Sequence, residues 1–269
     1  MKYDPIKSQL GVFFNRHPWM RIAFYKMLDL LLLRTWHIRK ELKRWRRNQQ
    51  EELVILDAGS GFGQYSHFLA RMFRKSTIEA VDIKTEQIKD CNRFFDDIGL
   101  SDRVFFEFGD LTTYKRENSY DLILSVDVME HIEEDTQVFK RFYESLKQGG
   151  MLLISTPSDQ GGSDVHEDDD HSFIDEHVRD GYSIEDIEQK LGIAGFTNIY
   201  SRYSYGNPGK LSWRLTMKKP IQWLNSSKLF YLILPLYYLL VFPFCLLCNF
   251  WDVRKNHASG TGLIVKAFK

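Results

Sequence analysis

The feature that limits this chain's fold most is a run of short, predominantly apolar segments alternating with amphipathic ones over residues 53–156. In order they read LVILD, QYSHFLARMF, IEAVD, EQIKDCNRFFDDIG, VFFEFGD, YDLILSV, TQVFKRFYESLK and MLLIST. A strand with one wet face alternates polar and apolar residues; these do not, so both of their faces must be covered. Strand and helix in turn, with the strands buried on both sides, specify an α/β fold with a parallel sheet between helical layers and right-handed crossovers. Further on, SIEDIEQKLGIAGF predicts a helix with Ser183 as N-cap, Asp186 three residues later and Gly195 as its end. FTNIYSRYSY (from residue 196) and GTGLIVKAF (260–268) are strand-like again.

The chemistry concentrates in VILDAGSGFGQYS, where an apolar strand ends at Asp57, a turn carries Gly59, Gly61 and Gly63, and a helix opens at about Gln64. Glycine lets backbone turn sharply and lets a ligand approach with no Cβ in the way. A helix N-terminus behind such a turn offers unpaired N–H groups to an anionic or polar ligand. The dinucleotide fingerprint wants glycine or alanine at its sixth position, and Gln64 stands there, which weakens a nicotinamide reading.

The run resembles the D-x-G-x-G-x-G motif of class I S-adenosylmethionine-dependent methyltransferases, and the chain is similar to their ubiquinone and menaquinone methyltransferase-like group. Four further landmarks follow in the family's order: Asp82 ending IEAVD, Asp110 after FEFG, YDLILSVDVMEHI, and LKQGGMLLIST. The resemblance implies a doubly wound, Rossmann-like, mostly parallel sheet of seven strands, completed by the segments at 197–205 and 260–268. It implies S-adenosylmethionine as cofactor, held by Asp57, Gly59, Ser60, Gly61 and Gly63. Asp82 would take the ribose hydroxyls beside Ile83, with Asp110 and Leu111 toward the adenine and Ser125 at the end of the fourth strand. Methyl transfer is then expected, to oxygen first and to carbon second.

An acceptor hydroxyl or acidic carbon must lose a proton, and histidine suits that near neutral pH. Candidates are His131, after the fourth strand, and His171 and His177 in the acidic loop after the fifth, which also holds His166. His131, with Glu130, has the alternative role of orienting the cofactor pocket. Although HEDDDH (166–171) offers carboxylates and imidazoles, its residues are adjacent and lack convergent spacing. A solvated acidic lid and no metal are expected.

Residues 229–251, LFYLILPLYYLLVFPFCLLCNFW, carry no charge. A simple span would leave the last strand across the bilayer from its sheet. Pro235 and Pro243 also cut the segment into pieces shorter than the ~20 residues a spanning helix needs. A kinked hairpin is expected, lying in the membrane interface or roofing the acceptor site. Lys218, Lys219 and Lys228 flank it before, Arg254 and Lys255 after. Residues 16–47 predict a helix with Met20, Phe24, Met27 and Leu31 on one face, seven cations over 34–47 and interleaved Trp19, Trp36 and Trp45. The two segments are expected to give peripheral or monotopic membrane contact and an apolar or lipid-linked acceptor. A soluble acceptor under an apolar lid is the alternative enzyme reading; a non-catalytic membrane scaffold is the alternative of another class.

The expected organisation is an N-terminal helical region (1–50), the cofactor domain (51–205 with 259–269) and an apolar insertion (206–258). Lys+Arg and Asp+Glu both number 36, so no basic excess points to nucleic acid. Three cysteines (Cys91, Cys245, Cys248) form no disulfide framework, and the opening MKYDPIKSQLGVFF has no secretion-signal pattern. A cytoplasmic location at the membrane face is therefore expected.

Overall fold

The computed structural model describes residues 17–46, 52–161, 178–227 and 229–269. Its centre is the expected doubly wound sheet of seven strands, in the order β3-β2-β1-β4-β5-β7-β6. The strands are β1 (Val54–Ala58), β2 (Thr77–Asp82), β3 (Val104–Phe108), β4 (Tyr120–Val126), β5 (Leu146–Pro157), β6 (Thr197–Ser204) and β7 (Gly262–Phe268). All neighbours run parallel except β7, which pairs antiparallel with both β5 and β6. Chain order reverses between β1 and β4, so the loops leaving those two strands diverge and open a crevice at their carboxyl ends.

The inner strands β1, β4 and β5 bury both faces as their composition requires, whereas β3 at the sheet edge leaves Phe105 and Phe108 exposed. Ile55, Ile78, Leu122 and Leu153 lie in one core, Leu56, Val81, Ile123 and Leu152 in the other. Helices α3 (Gln64–Met72), α4 (Thr85–Asp97), α5 (Asp135–Ser145) and α6 (Ile184–Ala194) follow the amphipathic segments. The Ser183 hydroxyl accepts from the Asp186 N–H at 3.0 Å, and Gly195 closes α6 with φ +106°.

Upstream, the single helix expected over 16–47 is two: α1 (Pro18–Leu31) and α2 (Leu33–Arg46). The break is Leu32, extended at φ −84°, ψ 109° and buried with Leu33. Packing overrides helical propensity here, because α1 must cross the glycine turn while α2 lies on β5 and β7. Trp45 faces the core and Arg34 turns to an ion pair with Asp127, so neither belongs to an outward basic face.

The apolar stretch departs most from expectation. It is not a kinked hairpin but one continuous helix, α9 (Phe230–Arg254, 25 residues), with both prolines inside it. Each proline removes one N–H and perturbs one turn, a local cost that an otherwise cooperative helix with a packed flank can absorb. The reversal demanded by the sheet is made instead with the preceding segment: α7 (Asn207–Trp213), a π-helical turn (Arg214–Lys218) and α8 (Lys219–Ser226) run out, and α9 runs back. Contacts climb in antiparallel order from Gly209 N–H to Asp252 Oδ2 (3.0 Å) to Trp223 stacked on Phe230 (5.6 Å).

Pro220, just after the π turn, deprives the carbonyls of that turn of a donor. The hydroxyls of Tyr237 and Tyr238 supply it, donating to Leu215 O (2.8 Å) and Thr216 O (2.6 Å). One arm of this hairpin is basic (Lys210, Arg214, Lys218, Lys219) and the other apolar. Leu232, Leu239 and Leu240 are 81%, 72% and 71% exposed, so this part of the apolar face of α9 is not packed against the described residues. By length and composition alone α9 could cross a membrane. Lys228, one of the expected flanking cations, lies outside the described residues.

Candidate active site

The crevice is floored by the turn from Asp57 to Gly63. Gly59, Gly61 and Gly63 have φ of +82°, +52° and +81°, conformations that a side chain would strain. A Cβ on Gly59 would also collide with Val128 beyond β4. Gly61 differs in having nothing within 4 Å of the point where a Cβ would stand, so its outer side is open to a ligand. Behind the turn, α3 begins at Gln64 without a side-chain cap.

Asp82, at the carboxyl end of β2, accepts from the Gly61 N–H through Oδ2 (2.8 Å) and from the Lys84 N–H through Oδ1 (2.9 Å). The carboxylate is thus fixed against the open turn, with a lone pair on each oxygen still to give. Next to it Ile83 is 61% exposed, an apolar surface at a sheet edge. Asp110 is exposed and its Oδ1 closes a local turn on the Thr112 N–H (2.9 Å) and hydroxyl (2.7 Å), while Leu111 is buried.

Two buried hydroxyls, Ser60 Oγ and Ser125 Oγ, have no hydrogen-bond partner. They stand at the carboxyl ends of adjacent strands, since Ser125 is in register with Ala58. Orphaned polar atoms cost stability unless a ligand or water meets them. These residues fit the nucleoside cofactor expected from the sequence: Asp82 for a diol, Gly61 for close approach, Ser60 and Ser125 for its polar groups, and Ile83 with Leu111 for an apolar ring.

Asp57 is buried and accepts from the Ser66 hydroxyl at 2.5 Å. Burial, with the Asp82 charge adding to it, pushes its pKa up to about 7. The folded value lies above the unfolded one, so its stabilising contribution is complete below pH ~4 and is lost as pH rises through about 7. Thermal unfolding of the ligand-free protein should therefore show a melting temperature that declines across that window, and Asp57→Asn should flatten the decline. An unchanged slope in the variant would remove Asp57 from this role.

The other wall is a cluster of which the sequence singled out only Glu130 for the pocket. Asp127 and Tyr205 are non-glycine residues with positive φ (52° and 54°), conformations that persist only when their surroundings enforce them. Both converge on Arg34 of α2, whose guanidinium pairs with Asp127 and whose backbone N–H donates to the Tyr205 hydroxyl at 3.1 Å. Tyr65, in the first turn of α3, accepts from Arg34 Nε at 3.3 Å. Glu130 is buried, accepts from the Thr156 hydroxyl at 3.1 Å, and burial together with the Asp127 charge pushes its carboxyl well above the usual range.

His131 adjoins this cluster, half-buried in a 3₁₀ turn (Met129–His131) at the carboxyl end of β4. His171, His177, His166 and the rest of the acidic loop lie outside the described residues. Among the described residues no group of three or more His, Cys, Asp or Glu is placed to hold a metal ion.

Over the glycine turn lies α1. The Phe62 carbonyl accepts from Arg21 Nη2 (2.8 Å) and from the Tyr25 hydroxyl, and Gln64 donates to Asp29 at 2.9 Å. Arg21 is itself buried, paired with Asp90 at 2.6 Å and stacked on Phe94.

Comparison with known proteins bears on the fold and the cofactor. Residues 55–150 match a family model described as a methyltransferase domain. Phosphoethanolamine N-methyltransferase 1 of Arabidopsis thaliana is 31% identical over 157 residues, covering 54% of this chain and 29% of that protein. Malonyl-[acyl-carrier protein] O-methyltransferase 2 of Ilyobacter polytropus is 30% identical over 120 residues, 45% of each. The chain thus spans less than half the length of these curated relatives. Among solved structures, phosphoethanolamine N-methyltransferase 2 of Haemonchus contortus with S-adenosyl-L-methionine superposes with a TM-score of 0.59 at 21% identity, covering 91% of this chain and 60% of that one.

Proposed function

From a chain that carries a class I S-adenosylmethionine-dependent methyltransferase domain, we infer an enzyme that methylates an apolar or lipid-linked acceptor at a membrane surface, at oxygen in the first instance. The observation that carries the membrane reading is the hairpin: an outward apolar helix backed by a basic arm and rooted beside the sheet. Such a pair suits the plane of the interface, apolar arm toward the acyl chains and basic arm toward anionic headgroups. A full span would draw Lys210, Arg214, Lys218 and Lys219 into hydrocarbon with it. The cytoplasmic face of the membrane follows as the proposed location.

When bound, the cofactor supplies an electrophilic methyl group on a sulfonium. The protein's own tasks are to hold the reactants in line, exclude water and take up a proton. Asp82 and the glycine turn fix one partner, and α1 fastens that turn through Arg21 and Tyr25. Asp127, held by Arg34, and the buried Glu130, whose neutral form is favoured by burial and the Asp127 charge, line the carboxyl end of β4 as polar groups without a strong net charge. His131 at the same edge is the proposed proton acceptor, with Glu130 tuning its surroundings. If His171 or His177 serves instead, His131 is dispensable.

His131→Ala is accordingly expected to lower kcat by on the order of 100-fold while leaving cofactor affinity unchanged. Wild-type kcat in that variant would reassign the base. The acceptor class is tested by incubating methyl-labelled cofactor with the protein and separate lipid and aqueous cell extracts. Label in the lipid fraction supports the proposal; label confined to the aqueous fraction overturns the lipid-linked acceptor.

A further inference from the structure

Away from the cofactor crevice, at the β7–β6 end of the sheet, a cavity of about 340 Å³ opens where α2, the two strands and the inner end of α9 meet. Five cations line it: Lys40 and Arg44 from α2, Arg202 from β6, Arg254 at the end of α9, and Lys266 from β7. A single carboxylate, Glu41, answers them. It is shared by Arg202 (3.0 Å), Lys266 (2.8 Å) and, more distantly, Arg44 (3.9 Å). Tyr200 and Ile264 complete the wall on the same face of the two strands.

The excess positive charge is felt locally. Lys40 is held below the usual lysine range by burial first and then by Arg202, Arg44 and Lys266. Like charges gathered around a pocket this way are costly unless an anion enters. The pocket also adjoins exposed apolar surface, because Leu247, Phe250 and Trp251 lie within two turns of Arg254 on α9 and are all exposed.

We propose that this cavity binds the phosphate of an anionic lipid headgroup, whose acyl chains run along the exposed face of α9. Phosphate chemistry follows from the guanidinium and ammonium lining. The lipid as its source rests on the membrane reading above; the anion site itself does not. Headgroup capture here sets the depth and orientation of the hairpin, so the cofactor domain meets the bilayer in one pose.

The test uses the full-length chain, the double variant Arg44→Gln/Arg254→Gln, whose residues are exposed at the cavity mouth, and Leu239→Glu/Leu240→Glu in α9. Wild type should float with phosphatidylglycerol vesicles, and the arginine variant should bind them about tenfold more weakly while matching wild type on neutral phosphatidylcholine. Inorganic phosphate should raise the melting temperature of wild type and of the leucine variant, but not of the arginine variant. If the arginine variant equals wild type in both assays, the anion site is wrong. If phosphate stabilises wild type but phosphatidylglycerol vesicles do not bind it, the site stands, a soluble phosphate ester is its ligand, and the lipid assignment and the membrane reading fall together.

Discussion

Replacing Asp82 with alanine should weaken S-adenosylmethionine binding by on the order of 100-fold, about 3 kcal/mol, with the fold intact. Two losses combine. The carboxylate is the proposed acceptor for two ribose hydroxyls, and charge-assisted bonds of this kind are about twice as strong as neutral ones. It also accepts from the Gly61 N–H at 2.8 Å, so its removal frees the turn that the cofactor must approach. Asp82→Asn separates the two effects, since the amide oxygen can still meet Gly61 while the charge is gone; an intermediate loss of about tenfold is expected. Calorimetric titration with S-adenosylmethionine measures both. Wild-type affinity in Asp82→Ala would mean that the ribose sits elsewhere and that Asp82 merely braces the loop.

The second large effect lies far from the chemistry. Asp252, fully buried near the end of α9, accepts from His37 Nε2 at 2.9 Å and from the Gly209 N–H at 3.0 Å. His37, equally buried, receives Arg202 Nη1 on its other nitrogen at 2.8 Å. Arginine can only donate, so Nδ1 is the acceptor, Nε2 carries the proton, and the ring is neutral. Burial also holds the His37 pKa below its ordinary value. This chain of bonds joins β6, α2, the root of α9 and the start of α7. Asp252→Ala strands a buried imidazole and a buried backbone N–H at once, and should destabilise the protein by about 3–5 kcal/mol. Denaturant unfolding measures it. A loss below about 1 kcal/mol would show that water replaces the carboxylate at little cost.

Local signals are legible in the sequence and distant pairings are not. The apolar runs announce a covered sheet because two-sided burial leaves its mark on nearly every residue of the inner strands. The turn from Asp57 to Gly63 announces itself because positive φ and open approach demand glycine at fixed spacing. Arg34 shows the opposite case: within its own segment it is one cation of seven, and its partners Asp127 and Tyr205 are supplied by loops after β4 and β6. In sequence Glu130 reads as an appendage of His131, because the burial that raises its pKa is a property of the assembled site. The prolines mislead for a physical reason. Their penalty is one bond and one turn each, and the opposing arm fixes the helix around them, with its own proline compensated by Tyr237 and Tyr238.

The antiparallel strand β7 has a further consequence, for the order of events at synthesis. It enters the sheet between β5 and β6, after the hairpin has been made. A chain emerges N-terminus first at roughly 5–20 residues per second, so α9 leaves the ribosome while β6 still lacks the strand that joins it to β5. During that interval the longest apolar helix is available and the sheet is unfinished. Under the proposed membrane contact, a nascent chain that met a bilayer at this stage would close its sheet with the hairpin already seated, and seating and completion of the fold would then be one process.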